Sequence, residues 1–158
     1  MRENEVNLVE KAKEIATKAH NGQKRWGGEP FITHPEAIAK MARKMRLGED
    51  VEVLSWLHDV KEDCGVTDDE LRKEGIPFHI IYSLNLVTHE DGVSYLDYLL
   101  KICPNQLAAR VKSLDLAHNL HTSQKKHVNS RDKWLLAQWI MSEHGYPAYN
   151  WETLLKEV

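Results

Sequence analysis

Cysteine is scarce in this sequence, net positive charge and long apolar runs are lacking, and each shortage excludes a class of protein. There are two cysteines, Cys64 and Cys103, in 158 residues. They form no CxxC pair and no zinc-binding spacing, so no disulfide framework is expected and a reducing compartment fits. No apolar run approaches the ~20 residues needed to cross a bilayer. The opening MRENEVNLVEKAKEIA is charged and amphipathic, with neither an apolar h-region nor a cleavage signal. The expectation is a soluble, cytoplasmic chain with no membrane partner. A formal net charge of −3 supplies no basic field for a nucleic acid polymer. A small anionic ligand stays open, because one local basic cluster would suffice. Internal repeats, low-complexity tracts and period-2 runs joined by a hairpin turn are also missing. The length suits one domain with a sizeable core and is short for two, so residues 1–158 are expected to form a single domain.

Helical periodicity dominates what remains. Val6, Val9, Ala12, Ala16 and Ala19 recur at helical spacing over residues 4–20. A glycine-rich break, Asn21-Gly22 through Gly27-Gly28-Glu29-Pro30, ends that helix. Pro35 suits the first turn of a second helix, which runs to about Leu47-Gly48. A third helix begins near Glu49-Asp50. Thr67 with Glu70 three residues on reads as a capping box for a short helix. Further helices are expected at about 77–88, 94–102, 104–122, 131–143 and 150–157. The expected fold is all-α, a compact multi-helix bundle.

Two of these helices carry polar stripes. Wound at about 100° per residue, the segment 51–63 puts Val53, Leu54, Trp56, Leu57 and Val60 on one face. Ser55, His58, Asp59 and Glu62 gather on the other. A solvated face is one reading. Against it, the stripe has no Lys or Arg and ends in Glu62-Asp63, and crowded carboxylates call for a proton or a cation. The segment 104–122 has two apolar flanks: Leu107, Val111 and Leu114, then Ala109, Leu116 and Leu120. Gln106, Arg110, Ser113 and His121 form an outward polar face. Lys112, Asp115, Asn119 and Thr122 lie between the flanks, toward the core, where polar groups must be paired, hydrated or liganded. That stripe is either a buried hydrogen-bond network or a site.

His34, His58, Asp59 and Asp115 are candidate metal ligands. Two imidazoles and two carboxylates suit a borderline-to-hard divalent ion such as Mn²⁺, with Fe²⁺, Co²⁺ and Zn²⁺ open as well. The other histidines show no matching partners, and His118, at the edge of an apolar flank, is expected to be a hydrogen-bonded core residue. Lys24, Arg25, Lys61 and Lys112 are candidate phosphate partners, with Lys24 and Lys61 expected to be ordinary solvated lysines.

The motifs together resemble the RelA/SpoT hydrolase domain of the HD-domain superfamily. The resemblance rests on His20-Asn21-Gly22-Gln23-Lys24-Arg25 with Gly28-Glu29-Pro30-Phe31-Ile32 and His34-Pro35. Leu57-His58-Asp59-Val60 with Glu62-Asp63 continues it, then Val111-Lys112, Asp115, His118-Asn119 and Thr122. It covers roughly residues 10–125, and the residues beyond about 125 add little to it. It implies a helical, Mn²⁺-dependent hydrolase that removes the 3′-diphosphate of the alarmones ppGpp and pppGpp. On that basis His34, His58, Asp59 and Asp115 hold the metal, and Glu62 and Asp63 serve the attacking water. Arg25 meets the substrate, with Lys112 as a phosphate partner, and Asn119 and Thr122 hold the nucleoside. Trp26, Phe31, Cys64 and Leu116-Ala117 depart from the family pattern, and Trp26 removes a base beside Arg25. No synthetase domain is recognised. The rival readings are a related phosphohydrolase acting on a deoxynucleoside 5′-monophosphate or another 3′-phosphorylated nucleotide, and a non-catalytic nucleotide-binding module. Trp134, Trp139, Tyr146, Tyr149 and Trp151 either pack the C-terminal helices or present a homodimer surface.

Overall fold

The computed structural model describes residues 7–123 and 127–158. Among them the chain folds as α1 (Leu8–Ala19), α2 (Thr33–Lys44), α3 (Glu49–Leu57), α4 (Asp68–Lys73), α5 (Phe78–Val87), α6 (Tyr95–Ile102), α7 (Gln106–Thr122), α8 (Val128–Glu143) and α9 (Trp151–Glu157). The only β feature among the described residues is an isolated bridge between Lys24 and Pro30. The all-α expectation is met. The first three residues of the expected first helix, with Val6, lie outside the described residues.

Helix starts follow local chemistry. Asn7, Thr67, Ser94, Asn105 and Asn150 each cap a helix by accepting a backbone N–H with the side-chain oxygen, and the Thr67–Glu70 capping box is complete. Pro35 sits buried in the first turn of α2, as its missing N–H permits.

One boundary is corrected. The third helix does not run to residue 63; it stops at Leu57 and gives way to turns. The reason is local. The His58 ring donates through Nδ1 to the Ser55 carbonyl at 2.8 Å, taking the acceptor that the Asp59 amide would use to extend the helix. Ser55 and His58 are themselves buried, so that face is not a solvated one.

Helix α3 packs against α1, α2, α5 and α7, and α7 in turn contacts α2, α5, α6, α8 and α9. These two helices form the centre. Ile38, Leu54, Leu57, Leu114 and Leu116 are fully buried around them. Ser113, expected on the outward face of α7, is buried instead, because α7 is covered on nearly all sides. Four of the five C-terminal aromatics pack inward: Trp151 is buried, and Trp134, Tyr146 and Tyr149 lie half-buried against the core. Trp139 alone stays 60 % exposed.

Leu54 lies at the centre of this packing, where truncation to alanine leaves a cavity. Leu54→Ala should cost about 2–5 kcal/mol in denaturant unfolding; a loss under ~1 kcal/mol would mean the centre is placed wrongly.

Candidate metal centre

Three segments bring the candidate ligands together. His34 enters from the first turn of α2, His58 and Asp59 from the turn that closes α3, and Asp115 from the middle of α7. His34, His58 and Asp115 are all under 10 % exposed. His34 Nε2 lies 3.0 Å from Asp115 Oδ1, 3.2 Å from His58 Nε2 and 3.6 Å from Asp59 Oδ2. His58 Nε2 lies 3.0 Å from Asp59 Oδ2 and 3.6 Å from Asp115 Oδ1.

The donor set fits a divalent cation. A carbonyl oxygen only accepts, so the proton of neutral His58 is on Nδ1 toward Ser55, and its lone pair is on Nε2. That lone pair faces two carboxylate oxygens and a second imidazole nitrogen, an assembly of acceptors that requires a positive charge at its centre. The electrostatics agree. Burial would lower the His58 pKa, yet Asp59 and Asp115 hold it well above the ordinary value. Burial would raise Asp115, but Lys112 and the two imidazoles hold it well below the usual carboxylate range. Asp59 is likewise lowered, burial being outweighed by His58. Burial lowers His34. His34, His58 and Asp115 offer ligand atoms all within 4.8 Å of one another, and Asp59 Oδ2 stands beside them.

A cavity of about 230 Å³ opens over this cluster. Glu62 lines it, and its Oε1 accepts the His89 backbone N–H at 2.6 Å, which fixes the carboxylate. Arg25, Lys112 and Asn119 line it as well. Lys112 is already paired: its Nζ donates to Asp115 Oδ2 at 3.0 Å and lies 5.3 Å from the Tyr98 ring centre. Asn119 bridges, donating to Asp115 Oδ1 at 2.9 Å and accepting from Arg25 Nη2 at 2.8 Å.

Two expected site residues are not brought to the cavity lining. Asp63 lies outside it; the residue is exposed at the surface, and its carboxyl is pushed up to about 6 by partial desolvation and by the neighbouring Asp59 and Glu62 charges. Thr122 donates its hydroxyl to the His118 carbonyl at 3.0 Å, while its own carbonyl accepts the Trp26 indole N–H at 3.0 Å. Lys24 is exposed, and Lys61 is held by Asp68 and Asn85. His118 is the hydrogen-bonded core histidine expected, but its partners are His34 and Arg25. Burial, with His34 and Arg25 alongside, pushes it down to about 3, so the ring is neutral.

Other lining residues have no signal in the sequence. His89, Tyr95 and Tyr98 come from α6 and the loop before it, and Lys133 and Trp134 from α8. Single aromatic and basic residues at ordinary helical positions carry no distinguishing spacing. Trp26 stands out in the sequence only as a departure from the family pattern. In the fold it stacks beneath Arg25, with the guanidinium 4.3 Å from the ring centre.

With this geometry in view, the chain can be set beside known proteins. No protein-family model matches it. It is 38 % identical over 97 residues to a guanosine-3′,5′-bis(diphosphate) 3′-pyrophosphohydrolase of Vibrio cholerae, covering 61 % of this chain and 13 % of that protein. It is 39 % identical over 85 residues to the enzyme of the same name from Haemophilus influenzae, covering 54 % and 12 %. It is 33 % identical over 97 residues to the bifunctional (p)ppGpp synthase/hydrolase SpoT of Escherichia coli, covering 61 % and 13 %. The chain thus spans about an eighth of the length of these curated relatives. A solved structure described as a metazoan ortholog of SpoT that hydrolyses ppGpp superposes with a TM-score of 0.71. That match has 18 % identity and covers 95 % of this chain and 92 % of the other. The resemblance to SpoT-type hydrolases is borne out in sequence, and the fold is the fold of that ortholog.

The raised carboxyl of Asp63 has a consequence for stability. Its folded pKa of about 6 lies above the unfolded value of about 3.9, so the fold disfavours the charged form. The resulting destabilisation is negligible below the unfolded pKa, grows between the two values and is complete above the folded one. Asp63→Asn should therefore raise the Tm of metal-free protein near neutral pH, by a margin that narrows toward about pH 4. A margin independent of pH would contradict this assignment.

Proposed function

We propose that this chain is a metal-dependent phosphohydrolase that removes the 3′-diphosphate of (p)ppGpp. The observation that carries the reading is the convergence of buried His34, His58 and Asp115 with half-buried Asp59 beneath a cavity lined by Glu62. The naming of the curated relatives as ppGpp 3′-pyrophosphohydrolases supports it. Residues 1–158 act as one hydrolase domain in the cytoplasm on a small nucleotide, with neither a nucleic acid polymer nor a membrane as partner. Among the described residues, no helix is long and apolar enough to cross a membrane.

The resident ion is Mn²⁺, in keeping with the mixed N/O donor set. When bound, it neutralises charge on the phosphoryl group and makes water a better nucleophile. The protein does the rest. His34, His58, Asp59 and Asp115 hold the ion from three segments. Glu62, oriented by the His89 amide, accepts the proton of the attacking water. The water oxygen bonds to the phosphorus carried on the ribose 3′-oxygen. The bond from that phosphorus to the 3′-oxygen breaks, the 3′-oxygen takes a proton, and pyrophosphate and GDP or GTP result. Asp63 adds to the charge around the water. Arg25, Lys112 and Asn119 shape the substrate side, and Thr122 supports it from behind by holding the Trp26 indole. The cavity is below the ~300–1,000 Å³ common for ligand pockets, so it takes the reacting diphosphate and leaves part of the nucleotide outside.

Purified protein should release pyrophosphate from ppGpp, faster with Mn²⁺ than with Mg²⁺. Release of inorganic phosphate from a deoxynucleoside 5′-monophosphate, with ppGpp untouched, would favour a related phosphohydrolase instead. Binding of nucleotide without turnover would favour a binding module.

Glu62→Gln keeps the shape and the hold on the His89 amide while removing the base. It should retain the metal and bind nucleotide nearly normally, with kcat down by at least ~100-fold in single-turnover assays. Loss of metal in parallel with activity would make Glu62 a ligand-supporting residue.

A further inference from the structure

Arg25 was expected to meet substrate, yet it is only 7 % exposed and both terminal nitrogens of its guanidinium are engaged, Nε alone having no hydrogen-bond partner among the described residues. Of the two terminal nitrogens, Nη1 lies 3.2 Å from His118 Nδ1 and Nη2 donates to Asn119 Oδ1 at 2.8 Å. His118 and Asn119 are consecutive on α7, and each touches a different member of the metal centre. His118 Nδ1 is 2.7 Å from His34 Nδ1, and Asn119 Nδ2 donates to Asp115 Oδ1 at 2.9 Å.

The direction of the Arg25 bonds follows from donor chemistry, and they set His118, rather than Asp115 with its Oδ1 3.0 Å from His34 Nε2, as the acceptor for the His34 hydrogen. A guanidinium has five N–H groups and no acceptor, so His118 Nδ1 must offer a lone pair to Arg25. The same Nδ1 cannot then donate to His34, so in the 2.7 Å contact His34 Nδ1 carries the hydrogen. A neutral imidazole with its hydrogen on Nδ1 has its lone pair on Nε2, the atom that faces His58, Asp59 and Asp115. The Asn119 amide is oriented by the same logic. Its oxygen faces the donor Arg25, so its NH₂ faces the acceptor Asp115.

We propose that Arg25 is a positioning residue for the metal centre: through His118 it fixes the His34 tautomer with Nε2 free to ligate, and through Asn119 it orients Asp115. This rests on the metal reading of the site. The surrounding structure holds Arg25 to the task. Its amide donates to the Glu29 carbonyl at 2.9 Å and its carbonyl accepts from Gly28 at 3.0 Å, closing a tight loop in which Gly28 has φ +90°. Trp26 lies against the guanidinium plane, and its own N–H is tied to the end of α7. His58 reaches the equivalent state more simply, through the Ser55 carbonyl. One ligand tautomer is therefore set by the backbone and the other by a cation two bonds away.

The test is Mn²⁺ affinity without nucleotide, combined with imidazole ¹⁵N spectra of metal-free protein, with the His34 signals identified by their loss in His34→Gln. Wild-type His34 should be protonated at Nδ1. His118→Leu and Arg25→Met should each weaken Mn²⁺ binding about 10–100-fold, the usual cost of losing a residue that orients a ligand. His118→Asn, whose Oδ1 replaces the Nδ1 acceptor, should keep the His34 tautomer and recover most of the affinity. A pure substrate contact at Arg25 would leave Mn²⁺ affinity unchanged, and a general packing defect would not be rescued by asparagine. His34 protonated at Nε2 in the wild type overturns the proposal without needing any variant. Wild-type protein that binds Mn²⁺ no better than folded His118→Leu and Arg25→Met overturns the positioning role alone. No Mn²⁺ binding by the wild type overturns the metal reading and this inference together.

Discussion

Two imidazoles and two carboxylates share one small volume where α2, the end of α3 and the middle of α7 meet. Moving such groups out of water costs several kcal/mol per charge unless each finds a partner. The surrounding chain supplies those partners one by one. Lys112 neutralises one oxygen of Asp115, Asn119 binds the other, Ser55 takes the His58 N–H and His118 takes the His34 N–H. Once these pairs are made, a set of lone pairs and negative oxygens is left aimed at one point, an arrangement that suits a divalent ion.

The same pairing shapes the backbone. Helix α3 ends where it does because the His58 ring occupies the Ser55 carbonyl. The turns after it bring Asp59 to the centre and Glu62 to the cavity wall, a placement that an uninterrupted helix does not require. The loop between α1 and α2 is tied by the Lys24–Pro30 bridge, so Arg25 reaches across to α7. Site and fold thus rest on the same hydrogen bonds, and the inward polar stripe of α7 is tolerated because Lys112, Asp115 and Asn119 pair with one another and with His34 and Arg25 from other segments.

Much of this is legible in the sequence. Apolar residues at helical spacing, with Asn, Ser and Thr caps, mark the helices to within a few residues, because capping and periodicity are local. The inward polar stripe of α7 is visible as a violation of the apolar face, and the structure gives Lys112, Asp115 and Asn119 mutual partners there. The end of α3 is not legible, because a side chain competing for a carbonyl leaves no trace in hydrophobic periodicity. Ser113 is misplaced for a related reason: winding a helix shows its faces but not how many neighbours cover them. The reach of Lys133 and Trp134 into the cavity depends on how α8 returns to the bundle, a tertiary fact with no local signature. Arg25 stands out by its motif, while its bonds to His118 and Asn119, more than ninety residues away in sequence, appear only in the fold.

Whether buried His34, His58 and Asp115 form a metal centre with half-buried Asp59 can be seen in a crystal. Anomalous diffraction at the manganese edge, from crystals grown with Mn²⁺, tests it most directly. The expected result is a single strong peak bonded to the Nε2 atoms of both histidines and to a carboxylate oxygen of each aspartate. A cluster without a peak in crystals that hold Mn²⁺ at surface carboxylates would contradict it.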